Sequence, residues 1–141
     1  MASFVKYQQF VEDLGNKVHD LVGTNDTIKV ALTNTAPNVS THAVLADITE
    51  ISAGNGYTAG GEDTQNDGTE SGGTLTVTGV DVVFTASGGS IGPFRYVVLY
   101  NDTPTSPADP LIGYWDYGSS ITLLTGETFT VDFGASLFTV A

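Results

Sequence analysis

Cysteine is absent from this 141-residue sequence, so neither a disulfide framework nor a thiolate metal site can be built from it. Basic residues are scarce as well. Lys6, Lys17, Lys29 and Arg95 stand against 16 Asp and Glu, for a formal charge of −12. Direct nucleic-acid binding is therefore not expected, because phosphate contacts draw on clustered Lys and Arg. Long apolar runs are missing too. No window approaches the ~20 apolar residues that span a bilayer, and no membrane association is expected. Met1 to Val22 carries Lys6, Glu12, Asp13 and Lys17 without the unbroken apolar stretch of a signal peptide, which predicts synthesis in a cytosol. Charged residues make up only 14% of the chain, low beside the ~25% of soluble domains, as in a protein whose surface lives in contact with others. The acidity fits either a solubilising surface or complementarity to a basic partner, and composition does not separate the two.

What is present points to β-structure. Seventeen Gly, seven Phe and six Tyr, with abundant Thr and Val, describe short strands joined by tight turns. The length suits a single domain over 1–141, long enough to bury a core. Only the N-terminus has a helical period. Phe4, Tyr7, Val11, Leu14, Val18 and Leu21 predict one amphipathic helix over about residues 3–22, capped by Ser3 and ended by Gly23, with a possible break at Gly15. From about residue 27 the period is two. Strands are predicted at 28–33, 43–51, 74–78, 82–85, 94–100, 111–117, 121–124, 128–133 and 137–140. Glu62 to Gly73 is polar, acidic and glycine-rich and reads as a flexible loop. The fold class expected is mainly β: an antiparallel β-sandwich, of which the jelly roll is one arrangement, carrying one N-terminal helix.

Three stretches could carry chemistry. Gly88-Gly89-Ser90-Ile91-Gly92 satisfies the G-x-S-x-G pattern of a hydrolase nucleophile elbow. In that motif a helix follows the serine. Here Pro93 and a predicted strand follow, and both His19 and His42 precede Ser90, so Ser90 reads as a turn residue and no catalysis is expected. Asp63, Gln65, Asp67 and Gly68 mimic the start of a calcium loop, but Thr74 stands where the bidentate glutamate belongs. No metal and no cofactor are expected. Tyr114, Trp115 and Tyr117 form an aromatic run in which Trp115 and Tyr117 share one strand face and Tyr114 takes the other. Such residues either anchor an interface or fill a core.

Three stretches together carry a resemblance: KVALTNTAP (Lys29 to Pro37), ADITEISAGNGYTAGG (Ala46 to Gly61) and GGSIGPFRYVVLYND (Gly88 to Asp102). With the N-terminal KYQQFVEDLGNKVHDL they resemble small virion proteins of tailed bacteriophages, similar to capsid cement or decoration proteins. That resemblance implies a β-sandwich structural protein on the outer capsid surface of a virion. It would be made in the bacterial host cytoplasm and bind the phage major capsid protein. It also implies a small homo-oligomer, a dimer before a trimer. Within the resembling stretches Tyr57, Pro93 and Phe94 are candidate capsid or self-contacts, joined by Tyr114, Trp115 and Tyr117. The alternative expectation is a receptor- or glycan-binding module on a tail or head fibre.

Overall fold

A computed structural model of the chain describes residues 2–141. In chain order its elements are β1 (Phe4–Lys6), α1 (Gln8–Gly15), β2 (Ile28–Thr33), β3 (Glu62–Asp63), β4 (Asp67–Ser71), β5 (Thr74–Thr78), β6 (Val82–Thr85), β7 (Ile91–Asn101), β8 (Leu111–Leu123), β9 (Thr128–Val131) and β10 (Phe138–Val140). A five-stranded sheet runs β1-β8-β7-β2-β3; a three-stranded sheet runs β10-β5-β4; β6 and β9 form a two-stranded one. Every pairing is antiparallel. The fold is mainly β and sandwich-like, with one helix near the N-terminus. No helix among the described residues is long and apolar enough to cross a membrane.

The register of β7 and β8 explains the core. Val97 faces Trp115 and Leu99 faces Gly113 on one side of the large sheet, while Tyr96 faces Asp116 and Val98 faces Tyr114 on the other. On the first side Trp115 packs on Phe4 and Phe133, Phe4 stacks on Phe138, and Phe94 and Tyr117 both meet Phe129 edge-on. The two smaller sheets thus supply the opposing layer. On the second side Tyr114 packs between Tyr7 and Tyr96. The segment after Pro37 is tied to this region by backbone bonds from Gln8 N–H to Val39 O, from Leu45 N–H to Asp109 O and from Leu111 N–H to Ala43 O. A strand buried on both faces needs apolar side chains on both, and Tyr96 to Tyr100 supplies them.

Three expectations are corrected. The helix does not run over 3–22: Phe4–Lys6 pairs with β8 as a strand, and α1 stops at Gly15. Phe4 and Leu21 kept the helical spacing because they pack into the core from a strand and a loop. Gly15-Asn16 and the positive φ of Lys17 (62°) turn the chain away. Ala43 to Ile51 is not a strand either. The Asp47 carboxylate accepts hydrogen bonds from the Ala43 and Val44 N–H groups, which folds Leu45–Asp47 into one 3-10 turn and holds the Asp47 pKa below its usual value. Glu62 to Gly73 is not a flexible loop. It forms β3, β4 and the Gly72-Gly73 turn into β5, and it buries Thr64, Asn66 and Gly68 in alternation. Those buried residues are small or polar, so hydropathy does not register the period.

The chain between α1 and β2 is fastened by a polar network. Asn101, fully buried, donates from Nδ2 to Asp26 Oδ2 (2.6 Å) and to His19 Nδ1 (3.0 Å), and the Asp20 N–H also reaches Asp26 Oδ2 (2.7 Å). His19 Nδ1 is then an acceptor, which puts the neutral ring's proton on Nε2. Burial lowers the His19 pKa, against the opposing charges of Asp13 and Asp26. A folded-state pKa below the unfolded value means that the unfolded chain takes up the proton first as pH falls. Stability linked to His19 is therefore complete above about pH 6.5, the unfolded value, and is lost as pH drops through it toward the folded pKa. Urea unfolding at pH 7.5 and pH 5.5 is expected to show the acid side less stable. His19→Gln, which keeps an acceptor for Asn101, is expected to flatten that difference; an unchanged slope would remove His19 as its source.

Candidate interaction surface

The β7–β8 ribbon outruns its sheet. β2 pairs with β7 only from Tyr96 to Asn101, and β1 pairs with β8 only from Gly113 to Trp115. Beyond those limits, Ile91 to Arg95 and Asp116 to Leu123 have only each other as strand partners. Ser120 Oγ donates to Asn34 Oδ1 (2.8 Å) and ties this part of the ribbon to the turn after β2. The register breaks here as well. Phe94 pairs with Ile121 and Tyr96 with Asp116, so Tyr117 to Ser120 stand opposite Arg95 alone. This is a wide bulge, and bulges re-aim side chains away from a regular ladder.

One ion pair and one glycine shape the bulge. Arg95 grips Asp116 with Nε (2.8 Å) and Nη2 (3.0 Å), and its guanidinium lies 5.3 Å from the centre of the Tyr96 ring. Asp116 Oδ1 also accepts the Gly118 N–H (2.8 Å), while Gly118 takes a φ of 88°. Arg95 holds the Asp116 carboxyl below its ordinary range, with the Gly118 bond adding to the effect, and Asp116 raises the Arg95 pKa. The pair is solvent-exposed, so its role is to fix geometry more than to stabilise the fold. Gly118, Ser119 and Ser120 are exposed beside it, with Pro93 on the facing strand. A shallow hollow of about 220 Å³ continues this surface between Asn34-Thr35, Glu50 to Ser52 and Gly92-Pro93.

The six sequence candidates divide between core and surface. Pro93 is exposed, and Tyr114 and Tyr117 are half-buried with Trp115 and Tyr117 on one face as the alternation predicts. Trp115 and Phe94 are core residues, which corrects their candidacy as contacts. Each sits where the apolar interiors of two sheets meet, a demand that one sequence cannot distinguish from an interface anchor. Tyr57 is corrected too. Its buried hydroxyl accepts from the Leu32 N–H and donates to Glu50 Oε1, and Glu50 Oε1 in turn receives the Gly60 N–H. Burial raises the Tyr57 pKa, and the Glu50 hydrogen bond adds to the rise. Sequence reasoning did not find the Arg95–Asp116 pair or the bulge. The Gly118-Ser119-Ser120 run was the available signal, but it reads as a turn between two strands rather than an outward loop within one.

Ser90 precedes β7 in an exposed turn, its carbonyl accepting from Asn55 Nδ2 (3.0 Å). Both histidines have other partners: His19 meets Asn101, and His42 Nδ1 accepts the Asn38 N–H (3.1 Å). His19 lies in the loop after α1, not in the helix expected to hold it. The calcium-loop mimic is likewise spread out. Asp63 Oδ1 accepts the Gln65 N–H in a local turn, and Gly68 lies inside β4 against the Leu21 backbone. Among the described residues no group of three or more His, Asp or Glu side chains gathers as a metal site would need. Compared with protein-family models, with curated proteins and with solved structures, the chain matches none.

Proposed function

We propose that this chain is a structural virion protein, a cement or decoration protein that binds the outer surface of an assembled phage capsid and stabilises it. The observation that carries the reading is the bulged end of the β7–β8 ribbon: an exposed polar and proline-bearing surface, braced by the Arg95–Asp116 pair and mounted on an antiparallel core. Its β7 strand belongs to the third resembling stretch, Gly88 to Asp102, which also contains Pro93 and Arg95. On this reading the protein is not an enzyme, its partner is the major capsid protein, and it acts as a small homo-oligomer. A ligand that binds only the expanded lattice stabilises that state by RT ln(1 + [L]/Kd), about 4 kcal/mol at a thousandfold excess. Repeated over the lattice, that resists the pressure of packaged DNA. A glycan-binding role on a fibre is less well supported. Trp115, the widest ring for stacking on a sugar, is 2% exposed.

Particles lacking the protein are expected to assemble but rupture at lower temperature, and purified protein added back should restore heat resistance to expanded shells. Ser119→Arg places a bulky cation on the exposed bulge without touching the core. It is expected to weaken rebinding by about tenfold or more if the bulge is the contact, a loss of ~1.4 kcal/mol. Undiminished rebinding by Ser119→Arg and by Pro93→Asp would remove the surface, and finding the protein only on tails or fibres would remove the function.

A further inference from the structure

The large sheet ends in an open edge. Among the described residues β1 bonds to β8 on one side and has no strand on the other. The Tyr7 N–H reaches Ile112 O (3.1 Å), so by alternation Val5 also bonds toward β8, while the backbone N–H and C=O groups of Phe4 and Lys6 point outward. An unpaired edge of this kind is a template for another strand.

The ground beside that edge is apolar and partly cationic. A hollow of about 310 Å³ lies among Phe4, Lys6, Phe10, Val11, Phe138 and Val140. A second hollow, of about 410 Å³, holds Lys17, Asp20 and Val22, and Leu14 lines both. Among the described residues, Val5, Val11 and Val22 are three of the six large apolar side chains that the surface exposes. The charges bear on the register. Lys29 lies 3.7 Å from Asp102 and Arg95 grips Asp116, whereas Lys6 and Lys17 have no carboxylate within ion-pair distance among the described residues. In a chain with 16 acidic side chains, the two unpaired cations both line this trough.

We propose that a second copy of this chain docks here, with β1 pairing antiparallel to β1 across a twofold axis at Val5. The occupant that the edge fits is strand-edged and apolar, and the same edge of a second copy is both. A free antiparallel edge is complementary to itself under twofold symmetry. The register follows from the outward groups. Phe4 bonds to Lys6 of the partner subunit and Lys6 to Phe4 of the partner subunit, while Val5 meets its own counterpart. Shifting the axis to Lys6 would set two ammonium groups face to face. The two five-stranded sheets then continue as one. This pairing takes up the small-oligomer part of the proposed function, and its test needs no capsid, so either can fail alone.

The absence of cysteine makes the test specific. Val5 pairs with its counterpart at a non-hydrogen-bonded position, where Cα atoms sit ~4.5 Å apart, within the range a disulfide bridges. Val5→Cys, in a chain with no other thiol, is expected to form a disulfide-linked dimer on mild oxidation. Val83→Cys, on β6 and more exposed than Val5 (54% against 37%), is expected to stay largely monomeric. Sedimentation of the unmodified full chain should show a monomer–dimer equilibrium that Val11→Asp weakens. Lys6→Pro removes an outward N–H without touching the bonds to β8, and should weaken dimerisation by about tenfold or more. Should Lys6→Pro fail to fold by circular dichroism, the Val5→Cys result decides. A chain that stays monomeric over about 1 to 500 µM, or a dimer in which Val5→Cys does not cross-link, overturns the proposal.

Discussion

Deleting Glu62 to Gly73 and bridging the gap with a short Gly-Ser linker is expected to leave the chain unable to reach its native state. As a loop, the segment would be dispensable, since closure entropy changes slowly with length. Its side chains say otherwise. Asn66, 4% exposed, accepts the Ile28 N–H at Oδ1 and donates to Asp26 O, both at 2.9 Å. Thr64 donates to Ile28 O through its backbone N–H and its hydroxyl, and Thr64 O receives the Val80 N–H. The segment is thus the polar seam joining β2 to the small sheet, and the β2 end it seals also holds the Asp26–Asn101–His19 network. Asn66→Ala alone strands a buried donor and a buried acceptor, worth about 1–3 kcal/mol each. Urea denaturation should show a loss of about 2–6 kcal/mol at unchanged m-value. A deletion variant with native circular dichroism and cooperative unfolding would show that the seam is ornamental.

That seam also marks where the sequence stops being readable. Strands with apolar alternation, such as Ile28–Thr33 and Thr74–Thr78, were found within a residue or two because burial and hydropathy share the period. In Gly61 to Gly68 the buried positions are glycine, threonine and asparagine, chosen for hydrogen bonding and close approach. A Cβ on Gly61 would lie 1.7 Å from Val30 O, and one on Gly68 1.7 Å from Leu21 O. Burial there is set by contacts distant in sequence, which no local window contains. The N-terminal helix failed for the opposite reason. Its apolar period was real, but a strand, a short helix and a loop carry it, with Phe4 and Tyr7 on opposite sides of the large sheet and Val11 left exposed.

The candidate surface was half legible. Proline, tyrosine and the Gly88 to Asp102 stretch drew notice through residue type, yet residue type does not say which aromatic is buried. Tyr114, Trp115 and Tyr117 are chemically alike, and the sheet consumes the middle one. The Arg95–Asp116 grip joins residues 21 apart in sequence through a register that depends on the bulge itself.

Gly92 tests whether that ribbon is as tightly specified as its geometry implies. Gly92→Val is expected to cost more than ~3 kcal/mol, enough to depopulate a marginally stable domain. Two effects combine. Gly92 holds a φ of 114°, where a β-branched residue is a genuine outlier. A Cβ there would also lie 2.7 Å from Ile121 O and 3.3 Å from Thr122 Cα, both backbone atoms of the facing strand that cannot swing aside. Ile91 and Phe94 on either side are buried, so relaxing the clash would pull core side chains outward. Gly118→Ala separates the causes. Its φ is 88°, but a Cβ there meets nothing within 4 Å, so only backbone strain of about 1–2 kcal/mol is expected. Thermal and urea unfolding of both variants should rank Gly92→Val well below Gly118→Ala. Equal losses would mean that the ribbon end yields freely, and a yielding ribbon could not hold the bulge as a preformed contact surface.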